Sequence, residues 1–160
     1  AKVAGASRIW VSEPVASRAE VARRLGATDV LSEDPAQAVE KIWEQTGGYG
    51  PDIVFECAGA HEAMQQAVRL SAYNGQLVAV GIPYPNEVVF TASVARRKNL
   101  TIKCVRRSRN AVDRAIQWAA EGRIDLRSYA THRFPLEHVQ DAMDLAHEKR
   151  DGVIRAIIEL

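Results

Sequence analysis

Two rhythms of apolar and polar residues alternate along this chain. Short apolar runs, such as Ile9-Trp10-Val11 and Ile53-Val54-Phe55, have the length of strands, and between them apolar positions return at helical spacing. "AKVAGAS" reads as the last turn of a helix, stopped at Gly5 in the left-handed capping conformation. The first strand is expected over 8–13. A helix follows in "SRAEVARRLG", with Ser17 as its N-cap and Gly26 as its C-cap, then a short strand in "DVLS". The next helix, 35–46, starts with Pro35 at its first position, where the missing N–H costs nothing, and "TGGYGPD" ends it.

"DIVFECAG" is a nearly continuous apolar run, the pattern of a strand covered by helices on both faces. The helix "HEAMQQAVRLSA" leads to a turn at Asn74-Gly75 and a buried strand in "QLVAVG". After "IPYPNE" a less regular stretch reaches "LTIKCV", which alternates as a strand near a sheet edge does. Helices at about 110–121 and 136–149, joined through "THRFPL", precede a last strand in "VIRAIIEL". Strands alternating with helices predict an α/β protein with a doubly wound parallel sheet of Rossmann type.

Composition narrows the class. With 160 residues, 47% hydrophobic and 26% charged, and a net charge of +1, the chain reads as a globular protein with no nucleic-acid partner. No apolar run approaches the roughly 20 residues that span a bilayer, and no basic-then-apolar leader opens the chain, so the reading is cytoplasmic, without a membrane partner. Cys57 and Cys104 lack any Cys-x-x-Cys spacing and sit in or beside apolar strands, which predicts buried free thiols.

In such sheets ligands bind beyond the carboxyl ends of the strands. That rule selects Glu13, Cys57-Ala58-Gly59, Val80-Gly81-Ile82 and Val105-Arg106-Arg107, which are expected to line one crevice. Small residues at 58, 59 and 81 let a flat ligand approach the backbone. The competing reading is that glycines after strands only make turns, and that Glu13 is an ordinary loop carboxylate.

"RIWVSEPVASRAEVARRLGATDVL", "PDIVFECAGA", "GQLVAVGIP" and "THRFPLEHVQDAMDL" together resemble the C-terminal, cofactor-domain part of medium-chain, zinc-dependent alcohol and polyol dehydrogenases, sorbitol-dehydrogenase-like members in particular. The resemblance implies an NAD-dependent oxidoreductase moving a hydride between an alcohol carbon and nicotinamide. Carried over by position, Glu13 binds the adenosine ribose hydroxyls and Arg18 flanks the adenosine. Ala58 and Gly59 pass under the cofactor. Val80, Gly81 and Ile82 meet the nicotinamide amide through their backbone, and Arg106 and Arg107 fall near the nicotinamide and substrate. Arg106 stands where those members have phenylalanine; this departure loosens the polyol assignment, while an arginine suits an anionic or hydroxyl-rich substrate.

The resemblance also implies that residues 1–107 form the NAD-binding domain and 108–160 return to a catalytic domain. The family's G-x-G-x-x-G loop and first strand, and its zinc ligands, are expected outside this chain, so zinc belongs to the parent enzyme and the chain alone is expected to be inactive. No catalytic or metal-binding residue is assigned within it. The parent protein is expected to be a homo-oligomer, dimer or tetramer, acting on a small-molecule alcohol or polyol. In the strand order 3-2-1-4-5-6 the absent strand is the central one, which separates 8–13 and 29–32 from 53–57, 76–81 and 100–105. His132 in "THRFPL" is read as structural, linking domains by hydrogen bonds. His61, His138 and His147 are read as surface residues, Glu56 as a satisfied polar group at a strand end, and "ARRKN" and "RRSRN" as a solvated rim. Three other readings remain: a methyltransferase, which calls for a terminal antiparallel hairpin; a zinc-free quinone reductase, whose usual NADP preference Glu13 opposes; and a non-catalytic nucleotide-binding module.

Overall fold

A computed structural model describes residues 1–31, 34–108 and 110–160. Ser32, expected at the end of the second strand, and Arg109, in the second basic run, lie outside the described residues. In chain order the elements are β1 (Trp10–Ser12), α1 (Ala16–Arg24), β2 (Asp29–Leu31), α2 (Pro35–Gln45), β3 (Ile53–Glu56), α3 (His61–Leu70), β4 (Gln76–Ala79), α4 (Ala92–Arg97), β5 (Thr101–Cys104), α5 (Val112–Ala120), β6 (Ala130–Pro135), α6 (Val139–Glu148) and β7 (Arg155–Glu159). Among the described residues all strand pairs are parallel, in three ladders ordered β1-β2, β3-β4-β5 and β6-β7. The expected α/β architecture with parallel strands is therefore present, and the first two ladders have the neighbours that strand order 3-2-1-4-5-6 gives without its central strand.

The described residues fall into two compact units, one built from segments 1–32 and 110–160 and the other from 33–109. In the second unit, register pairs Val54 with Leu77 and Leu77 with Ile102, so all three share one sheet face. Met64, Ala67 and Val68 of α3 and Ala95 of α4 pack there around fully buried Leu77, with Val54, Ala79 and Ile102 at the margin. Asp34 caps α2 by accepting the Ala36 N–H at 2.9 Å, and Pro35 occupies the first helical turn as predicted. β5 is an edge strand, also as predicted.

The opposite face of β3 departs from expectation. Ile53 and Phe55 are 51% and 53% exposed, so the apolar run is covered by helices on one face and not on both. The two cysteines depart as well: both are free and exposed rather than buried. Cys57 directly follows the last residue of β3, and Cys104 is the last residue of β5.

In the first unit, α1 packs on β1 and β2 and α6 on β6 and β7, with Ala19, Val21, Leu31, Ala142 and Val153 buried. Gly5 ends a short 3-10 turn over Lys2–Ala4 at φ 82°, as the first residues suggested. The helix α1 begins after Val15, whose side chain makes no cap bond, so Ser17 lies inside the first turn and is not the N-cap. The acid two residues earlier takes that place in the turn: Glu13 Oε1 accepts the Val15 N–H at 3.0 Å. "THRFPL", expected as a connection, supplies all of β6 but its first residue, Ala130, and the strand is paired parallel with β7. A parallel pair at this end is not the antiparallel hairpin that the methyltransferase reading requires. Among the described residues no helix is long and apolar enough to cross a membrane.

Candidate functional site

Parallel strands align their carboxyl ends, and β3, β4 and β5 bring three of the expected loops to one edge of the second unit's sheet. The main-chain carbonyl of Glu56 accepts N–H bonds from Val80 at 2.8 Å and Gly81 at 2.9 Å, and Val105 N–H donates to the Ala79 carbonyl at 3.0 Å. Beyond these bonds the chain leaves the ladder.

Glu56 organises the turn that leaves β3. Its side chain is buried, and Oε1 accepts the N–H groups of both Ala58 and Gly59 at 2.8 Å each. Such a tight turn needs Gly59 at φ +70°, and a Cβ there would meet the Ile82 carbonyl oxygen at 2.6 Å. A Cβ on Gly81 would lie 2.2 Å from the Gly59 nitrogen and 2.7 Å from Glu56 Oε2. The loops after β3 and β4 thus pack backbone against backbone, and Ile82 is left 79% exposed. The Ala58 and Gly59 N–H groups are thereby committed to Glu56 and are not open donors. The sequence reading of Glu56 as a satisfied polar group holds, and the structure adds what it is satisfied by.

Arg106 and Arg107 follow β5 and are exposed, Arg107 with a left-handed φ of 41°. Protein atoms packed around Cys57 push its thiol pKa up, and the neighbouring Glu56 carboxyl adds to the shift. In "ARRKN" the arginines Arg96 and Arg97 are exposed, as a solvated rim requires, but Lys98 is buried. Its Nζ donates to the carbonyls of Arg69 and, at 2.7 Å, Ser71, and lies 4.6 Å from the Trp43 ring centroid. Burial, and secondly the charge of Arg69, lower the Lys98 pKa. Nothing in the run of basic letters separates this lysine from its neighbours; only the carbonyls left open at the end of α3 explain it.

Glu13 and Arg18 belong to the first unit. Glu13 stands directly after β1, is half-buried, and continues the ladder by donating its N–H to the Leu31 carbonyl at 2.9 Å. With Val15 on Oε1, Oε2 carries no hydrogen bond among the described residues. Arg18 is half-buried on α1 and carries no hydrogen bond or ion pair among the described residues.

His132 has both ring nitrogens engaged, Nδ1 with Thr131 Oγ1 at 3.0 Å and Nε2 with Asp151 Oδ2 at 3.2 Å. These bonds tie β6 to the turn before β7 within the first unit. His138 pairs with Asp141 at 2.8 Å and is exposed, as is His147; His61 is half-buried at the start of α3. No three His, Cys, Asp or Glu side chains are grouped as metal ligands among the described residues.

The parallel ladders and their covering helices make this a Rossmann-like α/β protein. The chain belongs to the zinc-binding dehydrogenase family, whose sequence model matches residues 1–121. It is 29% identical over 158 residues to the sorbitol dehydrogenase of Bacillus subtilis, covering 99% of this chain and 45% of that protein. Sorbitol dehydrogenase of Gallus gallus is 32% identical over 156 residues, 96% of this chain and 43% of that protein. Among solved structures, an Escherichia coli oxidoreductase/dehydrogenase of unknown specificity superposes with a TM-score of 0.89 at 31% identity, over 99% of this chain and 46% of that one. The chain thus spans less than half the length of these relatives.

Proposed function

We propose that the full-length protein carrying this chain is an NAD-dependent oxidoreductase that moves a hydride between a secondary alcohol or polyol and nicotinamide. The observation that carries this reading is the backbone-on-backbone packing of the 58–59 and 81–82 loops at the carboxyl edge of a parallel sheet, with Ile82 standing exposed beside it. The similarity to two sorbitol dehydrogenases over nearly the whole chain supports it.

In this reading Glu13 accepts hydrogen bonds from the adenosine ribose hydroxyls and Arg18 lies along the adenosine. Ala58 and Gly59 form the floor under the dinucleotide. The backbone of Val80, Gly81 and Ile82 meets the carboxamide of the nicotinamide, and Arg106 and Arg107 sit near the nicotinamide and the substrate. When bound, NAD supplies the hydride acceptor. Residues 1–107 serve the coenzyme, and 108–160 return to the catalytic domain. Zinc ligands, where the full-length protein has them, lie outside this chain, so the chain alone is expected to be inactive with or without added zinc. The parent is a cytoplasmic homo-oligomer, dimer or tetramer, with a small alcohol or polyol as its substrate.

The test is alcohol-dependent formation of NADH by the full-length protein across a panel of secondary alcohols and polyols. Turnover with at least one is the expected result. Reduction of quinones with no turnover of any alcohol would replace this reading with the quinone-reductase one.

A further inference from the structure

The carboxyl group of Glu56 is 6% exposed and belongs to none of the proposed coenzyme contacts. It lines a cavity of about 20 Å³ together with His61, Met64, Ala79 and Pro83, a space that admits a single water molecule and no substrate group. The carboxyl group thus faces the protein interior and the two loops rather than open solvent. Beyond the strand ladder its bonds run to the two loops: Oε1 to Ala58 and Gly59, and the main-chain carbonyl to Val80 and Gly81.

We propose that Glu56 is a positioning residue for the nicotinamide half of the coenzyme, holding the 58–59 turn by Oε1 so that Gly59 fixes the backbone of Gly81 and Ile82. The inference rests on the coenzyme reading and deepens it. Two N–H bonds to one side-chain oxygen fix the turn. The turn has no slack to pass on, because a Cβ on Gly59 would already meet the Ile82 carbonyl oxygen at 2.6 Å and one on Gly81 would meet the Gly59 nitrogen at 2.2 Å. A shift of Gly59 is therefore a shift of Ile82. The adenosine contacts proposed at Glu13 and Arg18 use none of these atoms, so loss of Glu56 separates the two halves of the coenzyme.

The experiment compares NADH with ADP-ribose, which lacks nicotinamide, on the full-length enzyme and its Glu56→Met and Glu56→Gln variants, alongside kcat at saturating NAD. Glu56→Met removes the acceptor and is expected to bind ADP-ribose within about threefold of wild type, to bind NADH about tenfold more weakly and to lose about tenfold or more in kcat, since a misplacement near 1 Å costs on the order of a hundredfold. Glu56→Gln keeps Oε1 as an acceptor and is expected to restore all three. An unchanged kcat and NADH to ADP-ribose ratio in Glu56→Met overturns the proposal, and so does an equal loss for both ligands, which marks a merely structural residue. If Glu56→Met does not fold, Glu56→Asp, which withdraws the carboxyl by one methylene, must show the same selective loss of NADH, and an unchanged ratio there overturns the proposal. A wild-type enzyme that fails to bind NADH defeats the coenzyme reading itself, independently of any substitution.

Discussion

Gly81 lies against Gly59 so closely that a Cβ on Gly81 would stand 2.2 Å from the Gly59 nitrogen and 2.6 Å from its Cα. No side chain fits there, because the atoms it meets are backbone and cannot rotate away. Gly81→Ala is expected to lower stability by about 3 kcal/mol through forced displacement of the two loops. Thermal unfolding followed by circular dichroism checks this, and a wild-type melting temperature would show that the loops are not in contact.

Lys98 gives a second prediction. Its Nζ satisfies the Arg69 and Ser71 carbonyls and lies over Trp43, so Lys98→Met, which keeps most of the stem and removes the donors, is expected to cost about 2–3 kcal/mol in urea unfolding. The pH dependence has a definite sign. Burial lowers the folded-state pKa of Lys98, so between that value and the unfolded one the unfolded chain binds more protons. In that alkaline window this lysine makes wild-type stability rise with pH relative to Lys98→Met. An identical slope in both proteins would contradict the burial of the ammonium group.

The thiol of Cys57 is shifted the other way, with the sign reversed. Burial and then Glu56 raise its pKa, so the folded protein holds this proton to higher pH than the unfolded chain does. Iodoacetamide should alkylate Cys57, read by peptide mass, along a curve displaced to higher pH than that of free glutathione. The contribution to stability is full below the unfolded pKa and is lost as pH rises through the folded one. Alkylation that tracks glutathione would contradict the shift.

Most elements were legible in the sequence because alternating strand and helix rhythms are strong signals, and the cap of α2 is written in its letters as Asp34-Pro35. β6 was hidden because an inward position of its alternating pattern is His132, a polar residue that its bonds to Thr131 and Asp151 make acceptable there. α4 spans only Ala92–Arg97, too short for a helical period to show. The buried Lys98 and the exposed cysteines were illegible for a different reason: which residues at a strand end are covered, and which carbonyls lack partners, are properties of packing. At the site, the glycines announced close approach. That Gly59 and Gly81 approach each other, with Glu56 holding the turn, required coordinates.

The central claim is that Glu13 receives the adenosine ribose of NAD, and the direct measurement is kcat/KM for NAD and NADP side by side in the full-length enzyme. A 2′-phosphate would meet the Glu13 carboxylate in a half-buried position, and like charges in contact cost several kcal/mol, so NAD is expected to be favoured by about a hundredfold or more. Glu13→Ala is expected to bring the two values closer by weakening NAD and relieving NADP. A higher kcat/KM with NADP than with NAD in the wild-type enzyme would contradict the account.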